Sequence, residues 1–435
     1  AMDPQQRQLL ERGYATLHAS GLTKASLLGA TIAVNVGQWM SEFTFVLMHS
    51  PLGRSVYAAT GFSCAVTCGR ISFVLGVQGA CASFDTACSA SLVANHTSLR
   101  GVQRFECDAA LSAGVNMIMD PEFMLGNALA GFLSVKGRSH TFDARADGYA
   151  RGEAIDAMAC RLSQSDAAVL VVGSAVRQDG RSASLTAPNG QAQQALLVAS
   201  AADAGLGSDE PLLLEAHGTG TALGDPIEAG SMAAVLLRMR STPLRVGSLK
   251  ANAGHTEPGA GIAGALKLLV QMRSAFISPN AQLRTLNQHV RASLHEQAAC
   301  TLSAQVAMLT DGHTASGGVS SFGYAGTIAH ALLTQRGAEL PTLLSTSSDS
   351  HTRRAFVWRE VPSHASVAPP IMYVASWAHA QCDRLATLRP WVLMAAHRAL
   401  LPYSSSFSRE RMAIGRTVSI SLRWQQLCVH SRVLA

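Results

Sequence analysis

Cys88 is the residue of this chain whose type and setting first suggest chemistry. It lies in Asp85-Thr86-Ala87-Cys88-Ser89-Ala90-Ser91-Leu92, between a β-rich run and a helical pattern. Upstream, residues 70–75 and 82–85 read as strand or turn. Downstream, residues 89–103 place Leu92, Val93, Leu99 and Val102 at helical spacing. A thiol at a helix N-terminus meets unpaired backbone N–H groups and the positive end of the helix dipole, which favour thiolate. That is one way a protein makes a nucleophile of cysteine. Taken singly the motif is weak, because a buried cysteine is usually an inert packing residue.

Two polar loops offer Cys88 partners. One is Glu215-Ala216-His217-Gly218-Thr219-Gly220-Thr221-Ala222-Leu223-Gly224-Asp225-Pro226, and the other is Ser248-Leu249-Lys250-Ala251-Asn252-Ala253-Gly254-His255-Thr256-Glu257. Each follows a strand pattern, residues 212–216 and 244–248, and each opens a helix. In open α/β folds ligands gather beyond the carboxyl ends of strands, so both are candidate active-site loops. Either histidine alone is more often structural than catalytic. A nucleotide loop is excluded because no Gly-Lys-Ser/Thr ending follows the glycines, and no Gly-x-Gly-x-x-Gly follows an early strand.

The elements that must position these residues alternate as in α/β folds. Strands are expected at residues 30–36, 109–115, 167–172, 212–216 and 244–248. Helices are expected at 4–20, 89–103, 190–204, 226–239 and 261–275. The strands are apolar on both faces, as when helices cover both sides of a sheet. A hydrophobic content of 48% against 14% charged residues describes a chain with a large buried body. The nine cysteines are odd in number and follow no disulfide framework, which points to a reducing compartment. Cys64 and Cys68 lack a second Cys/His pair at zinc spacing, so no metal is expected. No apolar run reaches the length of a membrane span. Of the net charge of +6, residues 341–435 carry +7 and the rest −1, and arginines without interleaved aromatics argue against nucleic-acid binding.

Further motifs occur in order with the cysteine and the histidines. They are Met2-Asp3-Pro4-Gln5-Gln6-Arg7, Tyr57-Ala58-Ala59-Thr60-Gly61, Phe142-Asp143-Ala144-Arg145-Ala146-Asp147-Gly148-Tyr149, Arg151-Gly152-Glu153 and Gly317-Gly318-Val319-Ser320-Ser321-Phe322-Gly323-Tyr324. Together they cover about three-quarters of the chain. In this combination the chain resembles the β-ketoacyl synthases, most closely the ketosynthase domains of type I polyketide synthases.

The resemblance implies a thiolase-like α/β fold of two similar halves in α/β/α/β/α layers. Residues 1–165 would form the half with the nucleophilic cysteine, and 166–336 the half with both histidines. Residues 337–435 would be a linker-like segment and a disordered Arg/Ser-rich tail, with Thr352-Arg353-Arg354-Ala355-Phe356-Val357-Trp358 folding back on the body. It also implies a 3-oxoacyl-[acyl-carrier-protein] synthase activity: decarboxylative Claisen condensation of an acyl group on Cys88 with a malonyl-type thioester. His217 and His255 would stabilise the enolate, with Lys250 supporting His255 through Glu257. Thr219 and Thr221 would hold the pantetheine arm. Phe322 would gate the acyl group, and the backbone of Phe322-Gly323 would form an oxyanion hole with that of Cys88. No cofactor is bound in such proteins, whose substrates ride on the phosphopantetheine of an acyl carrier protein. A homodimer is expected, in a cytoplasmic or organellar compartment, plastids included. Coenzyme A thiolase chemistry is disfavoured by the second histidine loop.

Some residues depart from the family pattern. The segment that usually precedes Met2-Asp3-Pro4 is not in the sequence, so the first strand of the N-terminal half is expected to be missing and a sheet edge unpaired. Ala154 and Asp156 replace glycines, Pro258-Gly259 interrupts an alanine-rich helix start, and Ile328 replaces an asparagine. The competing expectation is a catalytically impaired ketosynthase-like partner or scaffold that binds carrier protein or another ketosynthase.

Overall fold

The computed structural model describes residues 2–162, 169–207, 209–238, 240–294, 299–309 and 316–335, and the backbone of four strands between 372 and 431. Ala1–Thr342 is one compact unit. Its first sheet has the order Cys81–Phe84, Ile32–Gly37, Ala109–Asn116, Ala154–Arg161. The first three strands run parallel and the fourth antiparallel. Ile32–Gly37 and Ala109–Asn116 are buried at every residue, as central strands covered on both faces are.

The second sheet has the order Val169–Gln178, Thr327–Gln335, Ser316–Phe322, Leu213–Glu215, Leu244–Gly247, Cys300–Leu302. It repeats the plan of the first: a long antiparallel strand lies beside the innermost of a parallel set. The likeness stops at one edge. Thr327–Gln335 is also paired antiparallel to Val169–Gln178, whereas Ala154–Arg161 has a partner on one side alone among the described residues. The sheet edge expected to be unpaired is this one.

Helices Ala90–Gln103 and Ala260–Ser274 pack on each other between the sheets, each against its own half. Pro4–Ala19 and Cys64–Leu75 cover the outer face of the first sheet, and Gly190–Ala204 and Gly224–Met232 that of the second. Five α/β/α/β/α layers result. Strand and middle helix approach closely at one glycine: a Cβ on Gly37 would lie 2.2 Å from the Ser91 backbone N, three residues past the cysteine.

One sequence expectation is corrected. Residues 70–75 are not strand or turn but the end of the helix Cys64–Leu75. Thr67, Cys68, Ile71 and Leu75 are buried at helical spacing, and Gly76 at φ 72° closes the helix in the left-handed region. The β-branched and aromatic run Ile71-Ser72-Phe73-Val74 mimics a strand, but packing of that face decides the outcome.

Asp156 carries a stability prediction. Its carboxylate is wedged between Gly114 and Gly259, and neither oxygen has a hydrogen-bond partner. Burial raises its pKa well above the ordinary value. An acid whose folded pKa lies above its unfolded one loses stability as pH rises from about 4 through the folded value. Asp156→Ala is expected to stabilise the protein at pH 8 by about 1–3 kcal/mol, the cost of an unsatisfied buried acceptor. The gain should vanish toward pH 4. Urea denaturation of both proteins across this range measures it, and equal stabilities at pH 8 would refute it.

Leu343–Ala435 is a separate unit. It contains two antiparallel strand pairs, Met372–Trp377 with Met394–Ala399 and Ile420–Trp424 with Leu427–Ser431. The fold-back segment 352–360 and most of the expected tail lie outside the described residues.

Candidate active site

The strand Cys81–Phe84 leads through a one-turn 3₁₀ helix, Ala87–Ser89, into Ala90–Gln103. Ala87 sits at φ 52°, a left-handed conformation that costs a non-glycine residue energy unless neighbours hold it. They do hold it. The Asp85 carboxylate accepts from the Ala87 N–H at 3.3 Å, Ser89 Oγ donates to the Thr86 carbonyl, and Ser321 Oγ donates to the Cys88 carbonyl at 2.7 Å. The turn thereby presents Cys88 Sγ at the meeting of the two halves.

The thiol is not poised as thiolate, contrary to what its helix-start position suggests. Burial, with a smaller contribution from Glu257, pushes its pKa up to about 12. Lys250 and the backbone N–H groups of Cys88 and Tyr324 act in the opposite sense and are outweighed. Desolvation of an anion exceeds what one helix end returns.

His217 follows the strand Leu213–Glu215. Its backbone N–H and that of Gly218 donate to the two oxygens of Glu228, at 2.7 and 2.8 Å. Asp225 secures the same loop by accepting from Gly220 and Phe142. Burial raises these carboxyls to about 6 for Asp225 and about 7 for Glu228. Gly220 is required at φ 78°, where a Cβ would also come within 2.6 Å of the His140 backbone N.

His255 is tied to the segment just before the strand Ala154–Arg161. Its N–H donates to the Ala150 carbonyl and its carbonyl accepts from Gly152, both at 2.7 Å. The two imidazoles meet nearly perpendicular, with centroids 5.5 Å apart. His255 Nε2 lies 2.9 Å from Cys88 Sγ.

The protonation of both rings follows from their other nitrogen. The Phe322 N–H donates to His217 Nδ1 at 3.2 Å, and the Glu257 N–H donates to His255 Nδ1 at 3.3 Å. A nitrogen that accepts carries no proton, so each neutral ring bears its hydrogen on Nε2. Burial, then the positive charge of Lys250, lowers both pKa values well below the ordinary histidine value. The site therefore holds a thiol beside two neutral imidazole N–H donors.

These groups line a cavity of about 370 Å³ together with Thr219, Thr221, Phe322, Gly323, Phe132, Tyr149 and Tyr324. The Thr219 and Thr221 hydroxyls lie 3.3 Å apart on its wall. Lys250 and Glu257 are not on that wall. Lys250 is buried behind it, with Glu215 and Glu228 as its nearest opposite charges. Glu257 pairs with Arg151 and Asn116, so the expected route from Lys250 through Glu257 and a substrate-binding role for Glu257 are both replaced.

The expected oxyanion donors change as well. The Phe322 N–H is engaged by His217, and the Gly323 N–H donates to the Thr327 carbonyl at 2.8 Å. The second backbone donor at the thiol is that of Tyr324. Its ring stands at the cavity mouth against Phe132, with centroids 5.7 Å apart, while Phe322 packs on His217. Tyr324 closed the Gly317–Tyr324 motif in the sequence, but nothing in residue type singled it out. Gly323 is needed because a Cβ there would lie 2.3 Å from the Thr86 carbonyl.

Such a site, with a thiol and two neutral imidazoles between two like α/β halves, fits an acyl-transfer enzyme. The chain belongs to the β-ketoacyl synthase family: residues 1–165 match the family's N-terminal domain and 168–284 its C-terminal domain. It is 39% identical over 350 residues to a type I phenolphthiocerol synthesis polyketide synthase of Mycobacterium bovis, covering 78% of this chain and 16% of that one. It is also 38% identical over 367 residues to the highly reducing polyketide synthase alnA of Emericella nidulans, covering 80% and 15%. The chain thus spans less than a fifth of the length of these relatives. Among solved structures it resembles the ketosynthase from module 6 of the bacillaene synthase of Bacillus subtilis 168 (TM-score 0.70, 30% identity, 77% of this chain and 60% of that one). It also resembles the oxazolomycin ketosynthase domain OzmH KS7 of Streptomyces albus JA3453 (TM-score 0.72, 28% identity, 88% and 64%). The fold is that of the thiolase-like ketosynthases, and the enzyme class is acyl-condensing transferase.

Proposed function

We propose that this chain condenses an acyl group held on Cys88 with a malonyl-type extender, both delivered as phosphopantetheine thioesters on an acyl carrier protein. The observation that carries this reading is a pair of Nε2–H imidazoles on one cavity wall with the thiol, that of His255 2.9 Å from Sγ. Cys88 Sγ attacks the acyl thioester carbonyl, the carrier C–S bond breaks, and the thiol proton leaves with the carrier thiol. The N–H groups of Cys88 and Tyr324 receive the oxyanion of that step. The extender then loses CO2, and its C–C bond electrons pass to an enolate whose oxygen accepts from His217 and His255. The enolate carbon attacks the acyl-Cys88 carbonyl, releasing the 3-oxoacyl thioester and a thiolate that takes up one proton. Thr219 and Thr221 offer hydroxyls to the pantetheine arm, and burial, reinforced by the charge of Lys250, keeps both rings neutral.

Incubation with an acyl-pantetheine thioester should add one acyl mass at the peptide containing Cys88. Folded protein that never acquires it would sink the reading. The thiol and the two neutral imidazoles on one cavity support this reading over the scaffold alternative.

We further propose that the chain acts as a homodimer in a reducing intracellular compartment. Among the described residues the strand Cys81–Phe84 has an unpaired outer edge, and the helix packed on it exposes Phe73 and Val74. All seven cysteines among the described residues are free thiols. Sedimentation should give twice the monomer mass for the wild type and a shift toward monomer for Phe73→Glu. A wild type that sediments as monomer at micromolar concentration rules the dimer out.

A further inference from the structure

We infer that Arg151 is a positioning residue that fixes the tautomer of His255 by clamping Glu257; this rests on the catalytic reading above. The Arg151 side chain is wholly buried and does not itself line the cavity. Its Nε donates to Glu257 Oε1 at 2.9 Å, and one terminal nitrogen donates to Glu257 Oε2 at 2.9 Å and to Glu42 Oε1 at 2.5 Å. The guanidinium lies over Trp39 and Phe123, 5.8 and 5.1 Å from their ring centres. Asn116 completes the clamp with a 2.7 Å bond to Glu257 Oε2. Glu42 is itself held by the N–H groups of Met119 and Asp120.

What the clamp holds is a strained backbone. Glu257 stands at φ 50°, a conformation that a non-glycine residue keeps only when its surroundings over-determine it. In that conformation its own N–H turns back to His255 Nδ1, two residues earlier. The bond makes Nδ1 an acceptor and leaves the ring proton on Nε2, facing Cys88 and the site of the enolate. The residues on either side of Arg151 grip the backbone of His255 as well. One short segment therefore fixes both the place of the ring and the identity of the nitrogen that donates. A lysine has no planar fork and cannot bridge both oxygens of one carboxylate while reaching a second.

Direct detection of ring protonation by ¹⁵N NMR of histidine-labelled protein tests this. In the wild type His255 is expected as the Nε2–H form alone. In Arg151→Gln, and equally in Arg151→Lys, the Nδ1–H form should appear. Malonyl-thioester decarboxylation should then fall about ten- to hundredfold, the usual cost of removing a group that orients a functional imidazole. Acylation of Cys88 should stay within about threefold, because Cys88, its N–H and that of Tyr324 are untouched.

Removing Arg151 alone strands two buried carboxylates and risks the fold. The paired variant Arg151→Met, Glu257→Gln removes the clamp with fewer uncompensated charges. An unchanged His255 tautomer in a folded clamp variant overturns the inference, as does a drop in acylation equal to that in decarboxylation. A wild type that never acylates Cys88 overturns the catalytic reading instead, whatever the tautomer.

Discussion

Cys88→Ala is expected to abolish condensation, by on the order of 10⁴-fold or more, while malonyl-thioester decarboxylation continues. The two steps use different atoms of one site. Condensation needs an acyl group covalently held, and the thiol at the 87–89 turn is the nucleophile proposed for it. Decarboxylation needs donors for an enolate oxygen, and those proposed are the Nε2–H groups of His217 and His255, oriented from behind by the backbone N–H groups of Phe322 and Glu257. Neither of these orienting groups depends on the thiol. Removing Sγ takes from His255 Nε2 one partner at 2.9 Å, a hydrogen bond worth about 0.5–1.5 kcal/mol, so decarboxylation should stay within about tenfold of the wild type. Release of labelled CO2, measured beside mass-spectrometric detection of the 3-oxoacyl product, separates the steps. If both activities vanish together, the histidine pair does not act without the thiol.

Residue type and order carried much of this site, and local geometry carried the rest. Cys88, His217 and His255 stand out in sequence because each lies where a strand pattern gives way to a polar or helical one. The folded chain brings those three strand ends to one cavity. Their protonation states were not legible. The helix start argued for thiolate, but burial, which depends on contacts far away in sequence, raises the thiol instead. The partners of Glu257 were equally hidden. Arg151 and Asn116 are 106 and 141 residues distant in sequence, whereas Lys250, the partner expected, is only seven positions away and packs toward Glu215 and Glu228.

The same distinction governs the elements. Helix Gly190–Ala204 falls at its expected bounds, since Asn189 caps its start and Gly205 at φ 64° ends it, both local signals. Strands Ala154–Arg161 and Ser316–Phe322 gave no such signal. Their Ala, Ser and Gly residues are poor strand formers, and they are strands because neighbouring strands hydrogen-bond to them.

Replacing either histidine by alanine is expected to slow decarboxylation by about 10²–10³-fold, the cost of losing one preorganised donor at a developing oxyanion. The double variant should lose less than the product of the two, because the rings form one site and their effects are not independent. The pH profile tests the protonation state. Both rings are held well below the ordinary histidine pKa by burial and by Lys250, with Arg151 adding to the effect at His255. A lowered pKa keeps the neutral, donating form down to acid pH. The decarboxylation rate should therefore pass through about pH 6.5 without the inflection that an ordinary imidazole would give. Charge is what makes this setting effective. An imidazolium here would be a third positive group beside Lys250 and Arg151, and it would have to be desolvated before any enolate existed to balance it. Neutral donors avoid that cost and still offer two N–H groups to the cavity. An inflection near pH 6.5 in the wild type that disappears in His217→Asn or His255→Asn would show a ring titrating during turnover, and the neutral-donor account would fail.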